Sequence, residues 1–311
     1  MATSNLWRDL KKYRFAYYFI LPTLLGMLVM HFVPLAQAIY MSFLDLTSFT
    51  IGRYLLAPFI WLRNYYEVLI EPASPIRIGL FDSVRNTIIY TIIVTFGQIF
   101  IGMIVALMLN RKFRGRALLR TLFLFPWVVP TYVTGLLWGF MWQRGIGIIN
   151  IMLVDWFHVL KAKPFWLSGT NTLWAIIIPT IWRYWPLSML MLLAGLQTIP
   201  DELYEAADID GASGWQKFWK ITFPLLKSVW AILILFGLIY NVYSFNIVIM
   251  MFGHGAGFPG RWGDLMMTNI FRNSFQQWRF GTGAATSVIL LIVMIIVVNL
   301  WFKFYKSVEE K

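Results

Sequence analysis

Three groups of residues in this 311-residue chain combine chemical capability with a definite spacing. The first reads Glu205-Ala206-Ala207, three residues, Gly211, nine residues, Ile221, one residue, Phe223, Pro224, with Asp210 directly before the glycine. A carboxylate at Glu205 can accept charge-assisted bonds from an arginine or serine of another protein. Ala206 and Ala207 leave a small-sided helical surface that such a partner can approach closely, and Gly211 permits a sharp turn. An isolated glutamate near a helix start would more simply complement the helix dipole; the complete spacing weighs against that. The second group is Trp182-Arg183-Tyr184-Trp185-Pro186, set in an otherwise apolar stretch. An arginine there must pair with a carboxylate of another chain, a backbone carbonyl or a ligand. The third group is Tyr240, Asn241, Tyr243, Ser244 and Asn246, where Tyr240 and Ser244 share one helical face at i, i+4 with Asn241 beside it. Aromatic faces with amide and hydroxyl groups suit a ligand that presents apolar C–H faces edged by hydroxyls, as a sugar does. The alternative for each tyrosine and tryptophan alone is an interface belt or ordinary helix packing.

Other chemistries find no residues to carry them. His31, His158 and His254 are scattered without metal-ligand spacing, and cysteine is absent. No Gly-x-x-x-x-Gly-Lys-Ser/Thr phosphate loop, Gly-x-Ser-x-Gly elbow or His-Glu-x-x-His pair occurs. The expectation is a chain without catalytic residues, metal site or cofactor of its own.

The elements that must position these groups follow from composition. Hydrophobic residues make up 59% and charged residues 13%, whereas a soluble domain carries roughly a quarter charged residues. Such a chain cannot cover a globular surface with polar groups, and it reads as an integral membrane protein. The formal charge of +12 is dispersed in short clusters between apolar runs. That distribution marks membrane topology and excludes the continuous basic stripe of a nucleic-acid binder. Six stretches reach the length of about 20 apolar residues that a spanning helix needs: residues 15–41, 84–109, 121–142, 172–196, 224–251 and 280–302. The first resembles a signal peptide in its Lys11, Lys12 and Arg14 flank and Ala36-Gln37-Ala38 segment, but its apolar part is too long, which makes it a retained anchor.

Between the second and third stretches lie Arg111, Lys112, Arg114, Arg116 and Arg120 with no acid, which places that loop and both termini on the cytoplasmic side. The expected layout is a cytoplasmic segment 1–14, a six-span domain 15–302 and a cytoplasmic tail 303–311. Within the domain, loop 197–223 is polar and helix-forming. Thr198 is its expected N-cap with Pro200 and Asp201 following, and Ser213 through Gln216 form a capping box after Gly211. Gly135 and Gly139 allow a neighbouring helix to approach, and Gln98 is expected to form an interhelical hydrogen bond.

The loop spacing resembles the EAA loop of importer permeases of the ATP-binding cassette (ABC) superfamily, whose pattern is EAA, x3, G, x9, I-x-L-P; Phe223 stands where leucine is usual. Leu193 through Pro200, Asp208 through Ala212, Asn110 through Gly115 and Phe125-Pro126-Trp127 are similar to the sugar-transporting branch. The resemblance covers nearly the whole chain. It implies an all-α integral membrane protein with six transmembrane helices and the type I ABC importer permease fold, in a bacterial inner membrane. It also implies a second homologous permease, two ABC ATPase subunits carrying ATP and Mg, an extracytoplasmic solute-binding protein and a carbohydrate substrate. Within it, Glu205, Ala206, Ala207, Asp210, Gly211, Ile221 and Pro224 would form the ATPase-coupling loop. The candidate substrate path comprises Trp182, Arg183, Tyr184, Tyr240, Asn241 and Ser244. A cation in that path raises an acidic, uronate-type saccharide as a specific variant. The alternatives are a glycerol-phosphate-like polyol, or a stand-alone secondary carrier that would leave the loop unexplained.

Overall fold

The computed structural model describes residues 12–253 and 258–309; residues 1–11 of the expected N-terminal segment, His254 and the last two tail residues lie outside it. The described chain is helical, and its β-pairing is confined to the isolated bridges Leu44↔Phe59 and Thr47↔Arg279. Among the described residues, four helices are long and apolar enough to span a membrane: Arg14–Met41, Pro75–Asn110, Gly169–Leu196 and Phe280–Lys306. Two bent pairs bring the total to six spans if each pair counts as one. They are Arg116–Val128 with Thr131–Met141, bent by 86°, and Gly214–Leu225 with Lys227–Val242, bent by 69°.

The bends correct two sequence expectations. Residues 121–142 do not form one helix, because Pro130 forces the residue before it out of the helical region; Val129 sits at ψ 127°. Residues 224–251 break at Leu226 (φ −88°, ψ 9°), end as a helix at Val242 and resume only at Asn246–Met251. Ser244 in that gap is a weak helix former whose side chain competes for backbone bonds. The second span begins at Pro75, earlier than expected, and its 36 residues run about 54 Å at 1.5 Å per residue, well beyond a hydrocarbon core of roughly 30 Å.

The chain divides into two compact units. In the unit formed by Met1–Ser74 and Arg272–Ile292, the first span keeps no residue buried between Arg14 and Met41. The segment after it is organised by Asn64, whose Nδ2 donates to the carbonyls of Ser42 and Leu44, each at 2.9 Å. Arg279 and Glu67 form an ion pair at 2.6 Å.

The unit formed by Pro75–Phe271 and Val293–Lys311 holds all three candidate groups. Its second and fourth spans lie backbone against backbone. A Cβ at Gly102 would stand 2.8 Å from the Met189 amide nitrogen. Ile99, Met103, Ala106 and Leu109 of one helix are buried with Met189, Leu192, Leu193 and Leu196 of the other. Farther along, Tyr90 and Val94 are buried with Ala175, Ile176, Ile247 and Val248. Gly135 and Gly139 face the short helix Asn246–Met251: a Cβ at Gly135 would lie 2.6 Å from the Ile247 carbonyl oxygen, and one at Gly139 3.0 Å from that of Met251. The small-residue pattern therefore is a helix contact. Gln98 is only 8% exposed and has no hydrogen-bond partner among the described residues, contrary to expectation.

Gly135→Ala should force these helices apart at a cost of about 1–3 kcal/mol, read as a lower melting temperature of the purified chain in detergent. Gly26→Ala, whose Cβ meets nothing within 4 Å, should leave the melting temperature unchanged. Equal melting of both variants and the parent would refute the contact.

Candidate functional site

The loop after the fourth span folds as a helical hairpin. Thr198 is not its cap: its hydroxyl donates back to the Gly195 carbonyl at 2.8 Å, satisfying the preceding span's last turn. The first loop helix is Asp201–Ile209, capped two residues later than expected by Pro200, with Asp201 and Glu202 in its first turn. Those two acids complement the dipole. Glu205, at mid-helix, is not needed for that.

Gly211 ends this helix at φ +73°. Its amide donates to Asp208 O at 3.1 Å and the Ala212 amide to Ala207 O at 2.9 Å, the two bonds of a Schellman stop, which requires a left-handed residue between them. The Ser213 capping box is formed: the Gln216 amide donates to Ser213 Oγ at 3.3 Å, and the Ser213 amide to Gln216 Oε1 at 2.7 Å. The second helix, Gly214–Lys217, continues through Phe218–Thr222 to Phe223–Leu225. Two cross-links brace the arms: Lys217 Nζ to Asp208 Oδ1 at 2.7 Å, and the Tyr204 and Thr222 hydroxyls at 2.8 Å.

One side of the hairpin is anchored. Tyr204, Phe218 and Ile221 pack on the cluster containing Leu109, Leu196, Ile199 and Leu226. The other side is open: Glu205, Ala206, Asp210 and Pro224 are exposed, and Ala207 is half-buried. Glu205 has no hydrogen-bond or ion-pair partner among the described residues. A rigid base carrying an unengaged carboxylate beside small side chains can accept a donor from another protein.

The second group meets the broken third span. Pro130 supplies no N–H to the Pro126 carbonyl four residues back, and the helix ends before Thr131 can serve Trp127. Arg183 Nη1 takes both positions, 3.2 Å from Trp127 O and 3.4 Å from Pro126 O. Its guanidinium lies 5.5 Å from the Tyr184 ring centre, and its Nε is buried without a partner. Trp182 meets Trp138 edge to face at 5.9 Å, and the Trp138 indole nitrogen is likewise buried and unpartnered.

The third group is split. Asn241 is buried and donates to Thr95 Oγ1 at 3.0 Å. Ser244 bonds the Tyr90 hydroxyl at 2.8 Å, and Tyr90 in turn donates to Thr180 Oγ1 at 3.0 Å. Tyr240, in contrast, is 67% exposed, with its ring against Phe236. The shared face fails because the helix stops at Val242, so Ser244 leaves the i, i+4 register. Tyr90, Thr95 and Thr180 belong to this polar network and were not singled out from sequence. Their signal is polar residues recurring inside apolar spans.

Residues 98–307 match the family described as binding-protein-dependent transport system inner membrane component. The inner membrane ABC transporter permease protein YcjO of Escherichia coli is 31% identical over 268 residues, covering 86% of each chain. The trehalose/maltose transport system permease protein MalF of Thermococcus litoralis is 31% identical over 296 residues, covering 94% of each. A crystal structure of a bacterial alginate ABC transporter, in complex with an alginate pentasaccharide-bound periplasmic protein, contains a chain that superposes with a TM-score of 0.80 at 20% identity. The match covers 97% of this chain and 98% of that one, and it shows the six-span permease fold. With two thirds of its length matching the family and relatives aligned nearly end to end, the chain belongs to the binding-protein-dependent transport system inner membrane components.

Proposed function

We propose that the chain is one of two permease subunits of an ATP-driven carbohydrate importer and forms half of its translocation path. The observation that carries this reading is the anchored hairpin with the unpartnered Glu205 on its open side. Residues 197–223 would dock in a cleft of an ATPase subunit, with Glu205, Ala206, Ala207, Asp210 and Gly211 at the contact, and with Ile221 and Pro224 joining it to the spans. ATP and Mg would reside on two such subunits, a second homologous permease would complete the path, and a solute-binding protein would deliver the substrate. Both termini, residues 1–14 and 303–311, would face the cytoplasm with the Arg111–Arg120 cluster. ATP binding would draw the two hairpins together and open the spans outward; hydrolysis would return them inward.

Carbohydrate as the substrate class is supported by the trehalose/maltose relative. It also fits the aromatic, amide and hydroxyl composition around Trp182, Tyr184, Asn241 and Ser244. The likeness to the alginate transporter supports the fold. An acidic saccharide is a second reading, favoured by the buried, unpartnered Nε of Arg183.

Glu205→Lys should abolish substrate-stimulated ATPase activity of the assembled complex while membrane insertion of the chain survives. Gly211→Pro, incompatible with φ +73°, should do the same. Normal stimulation in both variants would disprove coupling through this loop. For the path, Arg183→Ala should lower uptake about tenfold, the effect of losing a charge-assisted hydrogen bond of roughly 1.5 kcal/mol, with the complex still assembled. Unchanged uptake kinetics would reduce Arg183 to a brace for the third-span bend.

A further inference from the structure

An apolar groove of about 680 Å³ runs between the second span and the second arm of the hairpin, bounded also by Trp230 and Ile234 of the fifth span. The second span contributes one helical stripe, Phe96, Phe100, Met103, Ile104 and Leu107. From Phe96 to Leu107 that stripe is about 16 Å long at helical rise, close to half of a hydrocarbon core about 30 Å thick. The facing wall is an aromatic ladder. Trp215 meets Trp219 at 5.6 Å, Trp219 meets Phe223 at 5.0 Å, and Phe223 meets Trp230 at 5.3 Å between ring centres. These walls are open: Phe100 is 67% and Trp215 71% exposed. A groove one leaflet deep and lined by tryptophans has the dimensions and composition of a seat for an acyl chain.

The charge around it specifies the headgroup. Three residues past Leu107 the helix ends at Asn110, and Arg111, Lys112 and Arg114 follow, all exposed and without ion-pair partners among the described residues. Lys220, on the hairpin arm itself, is also exposed and unpaired. No acid occurs from Ser83 to Val154 or from Gly211 to Gly263, so neither segment that builds the groove carries a compensating charge. Cations next to an apolar groove at one membrane surface attract anionic lipid, each contributing enough to raise local occupancy roughly five-fold.

We propose that this groove binds an anionic phospholipid of the leaflet on the Arg111–Arg120 side, its acyl chain along Phe96–Leu107 and its headgroup at Arg111, Lys112 and Lys220. The bound lipid would then be part of the surface against which the hairpin arm rests, directly after the Gly211 turn. The site does not depend on which solute the chain transports.

Tryptophan fluorescence tests this, with the chain and its co-purifying subunits in phosphatidylcholine vesicles. In one set a fraction of dibrominated phosphatidylglycerol is added; in the other an equal fraction of the phosphatidylcholine is dibrominated. Brominated phosphatidylglycerol should quench more strongly, and the excess should disappear in Trp215→Phe/Trp219→Phe/Trp230→Phe, which removes the reporters that line the groove. Lys220→Gln should cut the preference several-fold, and Arg111→Gln/Lys112→Gln should cut it further. If the latter pair fails to insert, Lys220→Gln still carries the charge test. Equal quenching by the two lipids, or an excess that survives loss of all three tryptophans, would overturn the proposal. Absence of quenching by either lipid would also overturn it, by showing that protein covers the groove.

Discussion

Each proline in a helix removes a backbone donor, and in hydrocarbon no water takes its place. The functional unit is arranged around that constraint. Pro130 leaves the Pro126 carbonyl without its helical partner, and the resulting break exposes Trp127 O as well; the Arg183 guanidinium serves both. Pro179 leaves the Ala175 carbonyl free in the same way, and the Trp142 indole donates to it at 3.0 Å. Each repair comes from a different span, so the satisfied backbone also fixes how the helices stand. Arg183 joins the fourth span to the first half of the third, and Trp142 joins the end of the third span back to the fourth. A positive charge at a helix C-terminus adds favourable dipole interaction, which makes arginine a better filler there than a neutral donor.

The same constraint separates the two kinds of irregular backbone. Where the third span bends inside the apolar region, a side chain from the fourth span closes the gap. At the hairpin the repair is local: Gly211 turns the chain and the amides of Gly211 and Ala212 satisfy the carbonyls of the helix before it. A self-contained stop needs no neighbour. That leaves the open side of the hairpin committed to nothing among the described residues, while Tyr204, Phe218 and Ile221 hold its base.

The hairpin was legible from sequence because its signals are local. Gly211 and the Ser213–Gln216 box act within four residues of themselves, and each is found where the spacing put it. Thr198 was misread because it lies between two helices and serves the one before it. The six apolar stretches were legible, but the breaks in the third and fifth were not. Pro130 was visible, yet Pro22, Pro179 and Pro186 lie inside continuous helices. A neighbouring span serves the freed carbonyl at both Pro130 and Pro179, yet only the first is a break, so the proline by itself does not announce the course of its helix. Tyr240 and Ser244 failed as a pair for a similar reason: periodicity assigns a common face only as long as the helix continues.

The bend and the hairpin share one piece of packing. Leu192, Leu193 and Leu196 lie in a cluster against which Tyr204, Phe218 and Ile221 of the hairpin rest, and so do Leu119, Phe123 and Leu124 of the third span's first half. Close-packed interiors transmit displacement because they leave no voids to absorb it. A shift of the hairpin base therefore bears on the segment whose far end is held by Arg183. In the proposed importer this gives Arg183 two competing partners. While the bend is in place, Nη1 is taken up by the Pro126 and Trp127 carbonyls, and Nη2 and the buried Nε remain for other partners. Straightening of the third span would return the Trp127 carbonyl to the Thr131 amide and loosen the hold on Nη1, while the Pro126 carbonyl, which Pro130 cannot serve, would still compete for it. Force applied at Glu205 and availability of the Arg183 charge would then be linked through the same leucines, which requires no rigid connection beyond the helices already in contact.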